Sequence, residues 1–125
     1  MEQNQITVPV SDLDRSVAFY KKLGLHLMTF AAHGYARFEC PGGNTFSVAV
    51  TKDAIPDHPL TIYFENEKMD EEVARLKSMG IVFESEPMEM GWRWREARLR
   101  DPDGNRLCIY WAGIDRRFPP WRIEG

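Results

Sequence analysis

Apolar and polar positions alternate at the start of the chain, then fall into a helical rhythm, and the whole sequence of events occurs twice. Ile6, Val8 and Val10 alternate with Thr7 and Pro9, the period of two expected of a strand with one buried face. Ser11-Asp12-Leu13-Asp14 then matches a Ser-x-x-Asp helix-capping pattern, and Val17, Phe19, Tyr20 and Leu23 form an apolar helical stripe that Gly24 ends. In the second half Leu60, Ile62 and Phe64 alternate, Val73, Leu76 and Met79 mark a helix, and Gly80 ends it. The two stop glycines stand 56 positions apart. That offset carries Ile6 onto Ile62, Val8 onto Phe64, Val17 onto Val73, Tyr20 onto Leu76, Leu23 onto Met79 and Leu25 onto Ile81.

After each helix, strand-like runs are separated by turn residues: Ala32-His33-Gly34 and Pro41-Gly42-Gly43-Asn44 first, then Met90-Gly91 and Asp101-Pro102-Asp103-Gly104. The pattern predicts an α+β fold of two βαβββ modules, residues 1–55 and 56–111, followed by a C-terminal strap over 112–125. In that strap the prolines of Asp115-Arg116-Arg117-Phe118-Pro119-Pro120-Trp121-Arg122 resist helix and sheet pairing, so an extended segment anchored by Phe118 and Trp121 is expected.

Composition narrows the function classes. A chain of 125 residues with 43% hydrophobic and 28% charged residues suits one folded domain and argues against disorder. Apolar runs such as Phe46–Val50 are far too short to span a bilayer, and the polar Met1-Glu2-Gln3-Asn4-Gln5 does not resemble a secretory signal, so a cytoplasmic protein is expected. A net charge of −3 gives no general attraction for a phosphate backbone, and nucleic acid is not an expected partner. Cys40 and Cys108 are far apart in sequence and are expected to stay reduced.

Two segments carry a family resemblance. The run from Val10 through Asp12, Arg15 and Phe19-Tyr20 to Leu23-Gly24-Leu25 resembles the opening of the vicinal-oxygen-chelate (glyoxalase/bleomycin-resistance/dioxygenase) superfamily, and Arg95 to Leu107, with its Asp101-Pro102-Asp103-Gly104-Asn105, resembles its last hairpin. The resemblance implies two βαβββ modules forming a curled mixed sheet around a cleft, usually in a homodimer. It also implies a divalent metal held by one side chain from each of four strands. Here those positions fall on Gln5, Ser47, Pro59 (or Thr61 if the strand follows the repeat) and Cys108. Amide and hydroxyl oxygens are weak donors for zinc, nickel or iron, and proline offers none, so no metal or other cofactor is expected. His26, His33 and His58 read as strand-start, turn and loop residues rather than ligands.

Parity along the seventh strand sets Ala97 and Leu99 toward the helix and Trp92, Trp94, Glu96 and Arg98 toward the cleft, together with Tyr63, Cys108 and Tyr110. With Gln5, Thr7 and Ser47 from the first module, these are the expected ligand-binding residues. The aromatic face and the poor ligand set point to metal-independent binding of a small aromatic or amphipathic molecule, as in bleomycin-resistance-like sequestration or carriage. The alternatives are a glyoxalase-like lyase or isomerase with a non-standard site, a metal-free catalyst with Glu96 as acid/base, or a protein whose dimer surface is its function.

Overall fold

The computed structural model describes residues 1–124. The chain divides into two compact units, Met1–His58 with Asp101–Asn105, and Pro59–Arg100 with the chain from Arg106 onward. Each contains one four-stranded mixed sheet and one ten-residue helix.

In unit 1, β1 (Gln5–Val10) leads into α1 (Leu13–Lys22), then β2 (His26–Ala31), β3 (Tyr35–Glu39) and β4 (Thr45–Val50). The sheet order is β1-β4-β3-β2, with β1 parallel to β4 and the other neighbours antiparallel. A parallel pair needs a crossover connection, and α1 begins it. The alternating residues Val8 and Val10 are buried as expected, and the Tyr20 ring lies 4.6 Å from Phe46 and 5.9 Å from Phe38. The helix cap is one residue later than the sequence pattern suggests. Asp12 is the N-cap and accepts from the Arg15 amide at 3.1 Å, while Ser11 donates to Asp103 instead. Gly24 ends the helix region with φ +91°, a conformation glycine adopts without a Cβ penalty.

The turn over 101–105 is a core element of unit 1. Asp101 accepts from the Asp103 and Asn105 amides, each at 2.9 Å, from the Asn105 side chain at 2.8 Å and from the Tyr20 hydroxyl at 2.6 Å. Asn105 also donates to the Pro9 carbonyl at 2.9 Å.

In unit 2, β5 (Thr61–Glu65), α2 (Met69–Ser78), β6 (Met88–Glu89), β7 (Arg95–Arg100) and β8 (Arg106–Trp111) repeat the pattern, in the order β5-β8-β7-β6. Both ends of α2 lie 56 positions after those of α1, but β8 begins 61 positions after β4. The extra residues enter mostly between α2 and β7, where β6 has only two residues and Phe83 adds one bridge to Leu99.

Three expectations are corrected here. Leu60 precedes β5 and is exposed, so it does not share the buried face of that strand. Met79 is the exposed C-cap of α2, and the buried stripe is Met69, Val73 and Leu76. The C-terminal segment is not simply extended, because Ile114–Arg117 form one helical turn, α3, and Phe118 and Trp121 remain exposed. Phe118 packs beneath charged groups instead, with the Arg117 and Arg122 guanidiniums 5.2 and 4.5 Å from its ring centre.

Candidate functional site

On unit 2, the side of the sheet facing α2 is identified by Ala97 and Leu99, both fully buried, and by Arg95, which makes a two-pronged ion pair with Asp70 of α2 at 2.7 and 2.8 Å. The opposite face follows from the register. Glu96 stands opposite Tyr110, Arg98 opposite Cys108, and Cys108 opposite Tyr63. Trp94 stacks on Tyr110 with ring centres 4.8 Å apart and an interplanar angle of 26°, and Tyr63 sets its edge against both, at 5.8 and 5.6 Å. Such aromatic contacts add to the stability gained from burial alone.

Trp92 does not lie on β7. The strand begins at Arg95, and Met90–Arg93 form the preceding hairpin turn, closed by the Arg93 amide on the Met90 carbonyl at 3.1 Å, with Arg93 at φ +69°. Strand parity therefore has no authority over Trp92. Its indole N–H nevertheless donates to Glu96 Oε2 at 2.9 Å. Glu96 is 3% exposed, and its Oε1 accepts from Arg98 at 2.9 Å and lies 3.7 Å from Cys108 Sγ. Arg98 reaches on to the Tyr63 hydroxyl at 3.3 Å. Both carboxylate oxygens of Glu96 are thus engaged, and this buried charge is compensated by a cation and an indole donor. Burial, followed by the charge of Glu96, pushes the Cys108 thiol up to about 12.

Unit 1 carries a separate polar set on the sheet face away from its core. Gln5 Nε2 donates to Ser47 Oγ at 2.9 Å and to Thr7 Oγ1 at 3.1 Å. Ser47 is 2.7 Å from the Tyr35 hydroxyl, which accepts from Arg37 Nε at 2.9 Å. The Ser47 hydrogen bond, aided by Arg37, draws the Tyr35 phenol below its ordinary value. Neither Tyr35 nor Arg37 is among the ligand-binding residues expected from the sequence. The alternation of Tyr35 and Arg37 with the buried Ala36 and Phe38 along β3 is the signal that reveals them.

Residues 2–109 match the family described as the Glyoxalase/Bleomycin resistance protein/Dioxygenase superfamily. The chain belongs to this superfamily. A superfamily protein from Nocardioides superposes with a TM-score of 0.77 at 22% identity, covering 97% of this chain and 88% of that one. A bleomycin resistance determinant encoded on transposon Tn5 gives 0.76 at 22% identity, covering 90% and 99%. A bleomycin-binding protein complexed with bleomycin gives 0.73 at 22% identity, covering 89% and 98%. No curated protein matches this chain in sequence.

The superfamily implies a divalent metal, and the residues at the implied positions do not fit one. Thr7 pairs with Ser47 as Tyr63 pairs with Cys108, so Ser47 and Cys108 are equivalent, and Gln5 corresponds to Thr61, both being paired at the start of their strands. Pro59 precedes β5 and has no side-chain donor. The set is an amide committed to hydroxyl partners, two hydroxyls and a thiol held protonated, with neither imidazole nor carboxylate. Among the described residues no three His, Cys, Asp or Glu side chains gather as a metal site. His26 is exposed at the first position of β2, His33 is exposed in the β2–β3 turn, and His58 lies in the loop before β5.

Proposed function

We propose that this protein binds a small aromatic or amphipathic molecule without a metal, sequestering or carrying it. The supporting observation is the unit 2 sheet face, where Trp94 and Tyr110 stack beside the buried Glu96 and its partly exposed partner Arg98, and where Trp92 and Tyr63 are 45% and 42% exposed. Exposed rings held in place by hydrogen bonds and packing provide stacking area at little ordering cost. Among proteins of this fold, a bleomycin-binding protein holds its ligand in the complex described above, a precedent for sequestration. On the separate polar face of unit 1, Gln5 and Thr7 are candidate polar contacts, while Ser47 is buried beneath its bonds to Gln5 and Tyr35. The test is a thermal-shift screen of aromatic compounds followed by titration of intrinsic tryptophan fluorescence. Trp92→Ala and Trp94→Ala should each weaken binding by about 1–3 kcal/mol in a protein that stays folded. Unchanged affinity in both variants would remove the site, and no compound raising the midpoint would remove the function.

We also infer a cytoplasmic two-fold homodimer. The edge strands β2 and β6 carry exposed Met28, Phe30 and Met88, apolar surface that a second copy can cover. Sedimentation at micromolar concentration tests this, and a monomer of 14.5 kDa would reject it.

A further inference from the structure

Strand register sets a polar row across the face of the unit 1 sheet that points away from its core. Thr7 pairs with Ser47, Ser47 with Arg37 and Arg37 with Thr29, so the row crosses all four strands. Tyr35 stands two residues before Arg37 on β3 and on the same face. Hydrogen bonds give this face a direction. The Thr45 hydroxyl donates to Gln5 Oε1, which fixes the amide so that Gln5 Nε2 donates to Ser47 Oγ at 2.9 Å. Ser47 is fully buried, and its own proton needs an acceptor. The Tyr35 oxygen lies 2.7 Å away, and among the described residues nothing else accepts from Ser47, so Ser47 donates to Tyr35.

Tyr35 thus accepts from Ser47 and, at 2.9 Å, from Arg37 Nε, and its own O–H is left to donate outside the network. The direction of its ionisation agrees, since the Ser47 hydrogen bond, ahead of Arg37, draws the phenol below its ordinary value. Arg37 spends its Nε–H on Tyr35 and stands over that ring at 5.5 Å, and among the described residues no carboxylate pairs with it. Glu39, two residues along on the same face, is exposed and stands opposite the exposed His26 instead. The guanidinium is planar and rigid, so its terminal N–H groups flank the nitrogen that holds Tyr35 and reach the same ligand group as the phenol. Both side chains are half-buried, open to solvent on one side. An unpaired cation beside a directed hydroxyl donor suits a negatively charged oxygen. Independently of the aromatic site on unit 2, we infer that Arg37 and Tyr35 bind a carboxylate or phosphate group, with Ser47 and Gln5 positioning the phenol.

Carbon NMR of protein labelled with carbon-13 at tyrosine Cζ tests the assignment, with the Tyr35 signal identified by its loss in Tyr35→Phe. Sodium acetate and sodium phosphate are titrated at pH 7 against sodium chloride of equal ionic strength. At least one of the two anions should shift the Tyr35 signal saturably, with half-saturation at roughly 1–10 mM, and chloride should not. Whichever saturates at lower concentration identifies the anionic group. Arg37→Gln should weaken binding roughly tenfold, as expected for a lost charge-assisted contact, and Arg37→Lys, which keeps the charge without the fork, by a smaller factor. Bound acetate should also raise the pH midpoint of the Tyr35 signal, because a neighbouring negative charge disfavours the phenolate. Circular dichroism establishes that each variant is folded, and should Arg37→Gln fail to fold, Arg37→Lys carries the test. No saturation by about 50 mM, an equal shift with chloride, or arginine variants that bind both anions as the parent does would overturn the site. None of these probes carries a ring, so that failure leaves the aromatic binding reading of unit 2 untouched.

Discussion

Replacing Tyr20 by Phe removes one oxygen atom from the centre of unit 1 and leaves the ring stack on Phe38 and Phe46 in place. The lost hydroxyl donates to Asp101 at 2.6 Å, alongside the Asp103 and Asn105 amides and the Asn105 side chain, and both Tyr20 and Asp101 are buried. A hydrogen bond to a charged acceptor contributes about 1.5–3 kcal/mol. Asp101 Oδ2 keeps the Asn105 amide at 2.8 Å, which limits the penalty, so a loss of about 2 kcal/mol is expected. Urea unfolding should show a lower midpoint with an unchanged slope. The thermal midpoint should fall by roughly 6–12 °C for a chain of this size. Burial first, and then the charge of Asp101, raises the Tyr20 phenol well above its ordinary 10.0. A raised folded value means that the contribution is complete below about pH 10 and is lost as pH rises beyond it. The parent and the variant should therefore differ by a constant amount up to about pH 9 and converge at higher pH. A loss below about 0.5 kcal/mol, or a difference that grows above pH 10, would refute the central role given to this hydrogen bond.

Cys40 and Cys108 should separate on reaction with a thiol-specific disulfide reagent at pH 8. Cys108, fully buried and held up to about 12, should react only on unfolding, and rapid modification of both thiols in the native protein would contradict this. Gly34→Ala should destabilise more than Gly24→Ala, because a Cβ at Gly34 meets Val50 Cβ at 3.0 Å whereas one at Gly24 meets nothing within 4 Å. Both glycines have positive φ, so each substitution should cost about 1 kcal/mol for backbone strain, and equal losses in urea unfolding would refute the added clash at Gly34. Protein purified without chelator should contain less than about 0.2 equivalents of transition metal, and chelators should leave its melting unchanged. Stoichiometric metal would overturn the reading of Gln5, Ser47, Thr61 and Cys108 as an unsuitable donor set.

The repeat, both helices and the buried strand faces were legible in the residues because they depend on short-range signals. Alternation at Val8 and Val10, the helical spacing of Val17 and Tyr20, and stops at Gly24 and Gly80 each involve only a few neighbours. The superfamily was legible for the same reason, since its opening and final hairpin are local patterns. Parity grouped Glu96, Arg98, Tyr63, Cys108 and Tyr110 on one face because each lies within a regular strand. Trp92 lay beyond that logic, because it precedes β7 in a turn whose backbone includes a positive φ at Arg93. Its bond to Glu96 was decided by how the turn folds back. The family resemblance already placed Ser47 and Cys108 at equivalent positions, whereas the simple 56-residue offset did not reveal the five-residue drift of the repeat between β4 and β8. The meeting of Arg100 with Arg106 depends on the hairpin register, and the bond from Tyr20 to Asp101 spans 81 positions. No local period encodes contacts at that separation; they follow from the packing of helix and turn and from how strands pair.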